Sequence, residues 1–306
     1  MSSPRIAVGP RPGSFATDAV HDAGGTVVEI GDKPDAIVWL DPADVAGLAG
    51  WLTEAPDVRW VQLPFAGVEP VAEYGLLDEA RAWTCAKGSY AEPVAEHALL
   101  LALAGLRYLP TRVVARSWGK AAGTSLCDER VTILGGGGIT ASLLELLAPL
   151  RVEATVVRRH PEPVSGAART VSVEELDDVL SEALVVFLAL ALTPQTTRII
   201  GAKQLERMDE RAWLVNVARG RHVDTDALVA ALDAGTIAGA ALDVTDPEPL
   251  PDGHPLWART NCIITPHTAD TIEMVRPLLA ERIRANVTRF TTGEPLIGVV
   301  DPIAGY

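Results

Sequence analysis

Apolar and polar positions alternate along this chain in a regular rhythm. Short, almost wholly apolar runs appear at IAVG (6–9), TVVEI (26–30), AIVWL (36–40), WVQL (60–63) and AWTC (82–85), each separated from the next by a stretch with helical spacing or turn residues. Four or five consecutive apolar residues bounded by turns predict strands buried on both faces, and their alternation with helices predicts parallel βα units. A helical stretch follows from about Ala91 through HALLLALAGLRYL. A second set of runs then begins: VTIL (131–134), VEATVV (152–157), LVVFLAL (184–190), WLVNV (213–217), AALDV (240–244) and CIIT (262–265).

Two such sheets exceed what one compact domain needs, so the pattern predicts a boundary in the helical region between Glu92 and Trp118. The final long helix, TIEMVRPLLAERIRANVTRFTTGEP, ends at a Gly-Glu-Pro stop, and the tail LIGVVDPIAGY is expected to return to the first domain. Neither an internal repeat nor a low-complexity segment is evident.

Composition narrows the class. With 306 residues, 48% of them hydrophobic, both domains can bury real cores. The first residues, MSSPRIAVG, carry no apolar run ahead of the first strand, so an export signal is not expected. The longest uncharged apolar run, Ala183 to Leu192, falls far short of a bilayer span of roughly 20 residues. Cys85, Cys127 and Cys262 have no metal-ligand spacing, which fits a reducing compartment and makes the cytoplasm the expected location, with no metal. Forty acidic against 26 basic residues give a formal charge of -14, which argues against nucleic acid as a partner. A local arginine can still override that field for a small anion.

The stretch VTILGGGGITASLLELLAPLRVEATVVRR (131–159) has the order strand, glycine turn, helix, strand of a dinucleotide-binding unit. Gly135 and Gly137 take the first two glycine positions, where a missing side chain allows a tight turn and close approach of backbone to a pyrophosphate; Gly138 and Ile139 open the helix behind them. Thr140 stands in the third glycine position, which serves helix-to-strand packing, so a loss of close packing is expected there. Arg158 and Arg159 stand where NAD-binding proteins place a carboxylate on the ribose. Two guanidinium groups suit the 2′-phosphate of NADP, and NADP(H) is therefore the expected cofactor, with NAD(H) the alternative should both arginines simply face solvent.

Three groups follow three different strands: Arg219 after WLVNV, Asp243 and Glu248 in ALDVTDPEP, and His267 after CIITP. Each alone is more often an ordinary surface or half-buried residue. Together they are a plausible set for reduction of a 2-keto acid, with histidine protonating the forming alkoxide, arginine holding the carboxylate and an acid charging the imidazole. Spacing does not show that they meet. His97 and His222 read as structural or surface residues.

The whole series VQLPFAGVE (61–69), VAEHALLLALAGLR (94–107), VTILGGGGI (131–139), LTPQTTRII (192–200), VNVARGRHVDTDALVAAL (215–232), AGAALDVTDPEPLP (238–251), PLW (255–257) and TPH (265–267) resembles the D-isomer-specific 2-hydroxyacid dehydrogenase family over nearly the full chain. The resemblance implies two Rossmann-like, doubly wound parallel-sheet α/β domains: a flavodoxin-like substrate domain over 1–97, an inserted cofactor domain over 98–275, and a helix and tail over 276–306 returning to the first. It also implies a homodimer joined through the cofactor domains. Its site residues map onto Arg219 for the carboxylate and keto oxygen, His267 as acid/base, Glu248 to orient the imidazole and raise its pKa, and Asp243 on the nicotinamide carboxamide. The backbone at Ala66, Gly67 and Val68 maps onto the loop that receives the substrate carboxylate.

Several positions depart from the family pattern. Besides Thr140 and Arg158, Ala191 replaces a proline, Cys85 falls where asparagine is frequent, and Asp270 beyond the histidine is atypical. The missing ribose acid points within the family toward NADP-using glyoxylate and hydroxypyruvate reductases. Two alternatives stand beside that expectation. One is an NAD-dependent dehydrogenase of a D-2-hydroxy acid, 3-phosphoglycerate included, against which the absence of basic residues in QLPFAGVEP weighs. The other is a dinucleotide-sensing, corepressor-like interaction protein.

Overall fold

The computed structural model describes residues 3–303 and divides the chain into two compact units, residues 1–90 with 271–306 and residues 91–270. The first unit opens with β1 (Arg5–Gly9), α1 (Ser14–Asp22), β2 (Thr26–Val28), β3 (Ala36–Trp39), α2 (Val45–Glu54), β4 (Trp60–Gln62), α3 (Glu69–Glu73) and β5 (Ala82–Thr84). Its strands form one parallel sheet in the order β2-β1-β3-β4-β5, the flavodoxin-like order. The strands carry unbroken apolar runs because the sheet is covered: Ile37, Trp60 and Val61 have no exposure at all, and Trp39 and Trp83 almost none. Each such side chain contributes about 1.5–3 kcal/mol by leaving water.

The second unit runs α4 (Ala91–Leu106), α5 (Leu109–Val113), β6 (Arg130–Leu134), α6 (Gly138–Leu147), β7 (Glu153–Val157), β8 (Arg169–Val171), α7 (Leu176–Leu180), β9 (Val185–Leu188), α8 (Ala202–Arg207), β10 (Trp213–Asn216), α9 (Thr225–Ala234), β11 (Gly239–Leu242) and β12 (Cys262–Ile264). Its seven strands are all parallel in the order β12-β11-β10-β9-β6-β7-β8. Read from β8, this is the doubly wound dinucleotide-binding order with one added strand, and its direction reverses between β6 and β9. The first seam falls at the start of α4 because that helix packs on α6 and β10, so it belongs to the second unit entire. Strand β8 has no counterpart in the sequence reading. With three residues, two of them Arg169 and Thr170, it lacks the apolar run that marks the others.

The chain closes with α10 (Ile272–Thr292), which packs on α1 and is ended by Gly293 in the left-handed conformation at φ 75°. Its tail returns to the first sheet: Cys85 N–H donates to the Gly298 carbonyl at 2.8 Å and Val300 N–H to Trp83 at 2.9 Å. Asn286 in α10 is wholly buried. Its amide donates to Gln62 Oε1 and the Ile297 carbonyl, each at 2.9 Å, and accepts from Ile297 N–H at 2.8 Å. Thr84 Oγ1 donates to the same Gln62 oxygen at 2.9 Å, and Trp60 Nε1 donates to Thr84 at 2.8 Å, so the buried network is closed. Residues 304–306 of the tail lie outside the described residues.

Candidate active site

The glycine turn lies at the point where the second sheet reverses. Gly135 has φ 110°, and a side chain there would strike the Ala189 carbonyl at the end of β9, so only glycine fits between β6 and β9. Gly137 faces open space and opens α6 without a side-chain cap, leaving the first N–H groups of a ten-residue helix directed at an anion's position. The turn therefore fits a pyrophosphate. Thr140 corrects the expected loss of packing: it is fully buried and its hydroxyl donates to the Gly135 carbonyl at 2.8 Å, so the larger side chain staples the turn to the helix it opens. Gly138 and Ile139 form the first residues of α6.

No carboxylate stands at the end of β7. The stem of half-buried Arg158 lies against Gly136 of the turn, where an added methyl would come within 3.0 Å of its Cδ, and its guanidinium is 3.4 Å from Glu162. Arg159 is exposed beside it.

Arg219 follows β10 in a turn built by Asn216, whose side chain accepts from Ala218 N–H at 3.0 Å and donates to the Arg219 carbonyl at 2.9 Å. Gly220 then lets two loops touch, since any side chain there would run into the Thr245 carbonyl and Asp246 N. That approach carries the Arg219 turn against the loop bearing Glu248. His267, after β12, is held at φ 52°, a left-handed conformation uncommon for a residue with a Cβ. Its Nδ1 lies 2.6 Å from Glu248 Oε1, and both side chains are nearly half exposed.

The hydrogen bond to Glu248 raises the His267 pKa above its ordinary 6.5 against the opposing effects of burial and Arg219. The same bond lowers the Glu248 carboxyl below its ordinary value, with Arg219 adding to the effect. The two partners shift in the senses expected of an imidazolium–carboxylate pair. Asp270, three residues on, is half-buried; burial pushes its carboxyl up against the nearby charges of His267 and Arg219.

Asp243 is placed differently from the other acids. It is 2% exposed, and its carboxylate accepts from Thr265 Oγ1 at 2.6 Å, Thr268 N–H at 2.9 Å and Ala269 N–H at 3.0 Å. Burial opposes its charge, yet bonds from His97, Thr265 and the backbone hold its pKa at about 2. His97, on α4, lies 3.0 Å from Thr265 Oγ1 and 3.3 Å from the Asp243 carboxylate, a placement that nothing in its spacing announces. His222 is fully buried, its ring nitrogens 3.0 Å and 3.2 Å from the Thr196 and Leu190 carbonyls.

The structure thus brings Arg219, Glu248 and His267 together at one end of the second sheet. Ala66, Gly67 and Val68 belong to the first unit, in the loop joining β4 to α3, with Ala66 exposed and Val68 buried. Of the departures, Ala191 is exposed and its carbonyl accepts from Thr196 Oγ1 at 2.8 Å; buried Cys85 accepts through its carbonyl from Arg282 at 2.9 Å. Among the described residues no cluster of three His, Cys, Asp or Glu could hold a metal, and no helix is long and apolar enough to cross a membrane.

Strand order, glycine turn and carboxylate-paired histidine define a dinucleotide-binding α/β enzyme. The family model of the D-isomer specific 2-hydroxyacid dehydrogenase NAD binding domain matches residues 97–269, and the chain belongs to that family. It is accordingly an oxidoreductase of 2-hydroxy or 2-keto acids that uses a nicotinamide dinucleotide. An uncharacterized Corynebacterium melassecola protein is 41% identical over 301 residues, covering 95% of this chain and 96% of that protein. A D-isomer specific 2-hydroxyacid dehydrogenase from Xanthobacter autotrophicus Py2, solved with NADPH and MES, is 28% identical with a TM-score of 0.86, covering 99% of this chain and all of its own. An NADPH-dependent glyoxylate/hydroxypyruvate reductase from Sinorhizobium meliloti, solved with NADP and sulfate, shares the fold at 24% identity and a TM-score of 0.82, covering 99% of this chain and all of its own.

Proposed function

We propose that the protein is an NADPH-preferring reductase of small 2-keto acids of the glyoxylate and hydroxypyruvate kind. The observation that carries this is the 2.6 Å pairing of His267 with Glu248, on a turn held against that of Arg219. Residues 91–270 hold the cofactor: the backbone of Gly135, Gly137, Gly138 and Ile139 receives the pyrophosphate, and Arg158 with Arg159 receives the 2′-phosphate. Support for the phosphate role comes from the missing carboxylate, from Arg158 lying against Gly136, and from the NADPH in the Xanthobacter relative.

When bound, the reduced nicotinamide supplies a hydride. The chain's own residues do the rest. Arg219 binds the substrate carboxylate and draws on the keto oxygen, while imidazolium His267 delivers the proton from Nε2, its other nitrogen being engaged by Glu248. Glu248 stabilises the charged imidazole before transfer. Asp243 takes the nicotinamide carboxamide, and residues 66–68 give backbone N–H groups to the substrate carboxylate.

Dimerisation through the second unit is part of this proposal. Leu100, Leu109, Val113, Val114, Trp118 and Leu146 are all exposed there, Trp118 at 99%, apolar side chains that a second copy would cover. The three thiols are unpaired, consistent with a cytoplasmic enzyme.

The test is initial-rate reduction of hydroxypyruvate, glyoxylate, pyruvate and a branched aliphatic keto acid, with NADPH and NADH compared at matched concentrations. A clear NADPH preference with hydroxypyruvate or glyoxylate is expected. Equal or greater NADH rates would replace the proposal with an NAD-dependent dehydrogenase, and tight cofactor binding without turnover of any acid would favour a sensing role.

A further inference from the structure

The turn that presents His267 is built around Asp243, and the charge of Asp243 is met from the far side by a helix. Thr265 donates its only hydroxyl proton to Asp243 at 2.6 Å, so at 3.0 Å from His97 Nε2 it accepts. His97 therefore carries its proton on Nε2 and directs it at Thr265 and the Asp243 carboxylate. On the other side of Asp243, Thr268 and Ala269 donate N–H groups to the two carboxylate oxygens. Between these anchors His267 N–H is shared by the Asp243 and Thr265 carbonyls at 2.9 and 3.0 Å. Residues 265, 267, 268 and 269 are thus all tied to one buried acid, across the residue held at φ 52°.

We propose that His97, Thr265 and Asp243 form a positioning relay, in which α4 sets the 265–269 turn and so keeps the His267 imidazole on Glu248. The relay rests on the reading of His267 as the proton donor. None of its members needs to touch the reacting atoms. Holding a left-handed, part-exposed residue needs such over-determination, because an unbraced turn would relax to ordinary backbone angles and carry the ring off Glu248. Asp243 Oδ2 receives one N–H, which leaves it acceptor capacity that the relay does not use.

The experiment uses the full-length protein with three variants, His97→Leu, His97→Gln and Thr265→Val, each checked for native fold by circular dichroism. The His267 pKa is read by NMR titration of labelled histidines, with Glu248, Arg219, Asp243 and Asp270 unchanged as the charges around it. Steady-state kinetics are measured beside it. His97→Leu and Thr265→Val are expected to let the His267 pKa fall toward its ordinary value. They should lower kcat on the order of tenfold to a hundredfold, with the cofactor KM within about twofold. His97→Gln, whose amide nitrogen can donate from nearly the Nε2 position, should restore both. Folded His97→Leu and Thr265→Val proteins with unchanged His267 pKa would overturn the relay, as would a glutamine variant no better than leucine. A pKa that falls as expected in a protein without turnover of any keto acid would uphold the relay and overturn the proposed reaction instead.

Discussion

Gly220 and Thr245 approach so closely that no side chain fits between the turn after β10 and the loop after β11. That contact brings the Arg219 turn to Glu248 and, through Glu248, to His267. Gly220→Ala should therefore separate the two loops. A substitution that must shift backbone costs about 1–3 kcal/mol. Urea unfolding is expected to show that loss, with a fall in kcat/KM that exceeds any fall in cofactor affinity.

His267→Ala should remove the proton donor and leave the glycine turn intact. Turnover is expected to fall by roughly a hundredfold to ten-thousandfold, while cofactor affinity, read by fluorescence titration, stays within about twofold. A variant that keeps most of its turnover would remove His267 from its role.

The pH profile follows from the paired shifts. Reduction needs His267 protonated, and the Glu248 bond raises its pKa, so the rate should hold above pH 6.5 and fall as pH rises through the raised value. Oxidation of the hydroxy acid needs the neutral ring and should show the opposite limb. Glu248→Gln removes the charge that sustains the shift, so the basic limb should move down toward 6.5, with the loss of rate larger at pH 8 than at pH 6. The measurement is kcat across pH 5–9 for both proteins.

Replacing Arg158 and Arg159 together with alanine should raise the KM for NADPH by tenfold or more and leave that for NADH nearly unchanged, since each guanidinium–phosphate bond is charge-assisted, about 1.5–3 kcal/mol. Equal effects on the two cofactors would show the arginines facing away from the 2′ position.

Asn286→Leu tests the buried network of the first unit. It keeps the volume but strips partners from Gln62 and from both backbone groups of Ile297. Gln62 Oε1 keeps its bond from Thr84, so the two backbone groups of half-buried Ile297 are the ones that lose their partner; at about 1–3 kcal/mol for each such group, a loss of about 2–4 kcal/mol is expected in urea unfolding. The expected change in catalytic constants of the protein that remains folded is small.

The apolar runs determined the first sheet and six of the seven strands of the second by themselves, because parallel strands covered on two faces need continuous hydrophobicity and leave that signature in one dimension. The glycine turn was equally legible: Gly135 is required by a backbone angle and a close approach that belong to a local strand–turn–helix unit. Arg219, Glu248 and His267 could be named from their places after strands, but not shown to meet. Their meeting depends on neighbouring parallel strands far apart in sequence and on the contact at Gly220. Strand β8 escaped because three residues with an arginine and a threonine carry no pattern, and their pairing with β7 supplies what their composition lacks. Thr140 packs where its side chain alone predicts a loss, because its hydroxyl finds the Gly135 carbonyl, a partner that exists only once the helix is docked. His97 lies 168 residues from Thr265, and only the packing of α4 on the strand ends makes an ordinary helix histidine part of the site. Local backbone demands are written into neighbouring residues, whereas hydrogen bonds between distant elements exist only after the hydrophobic layers have set their distance.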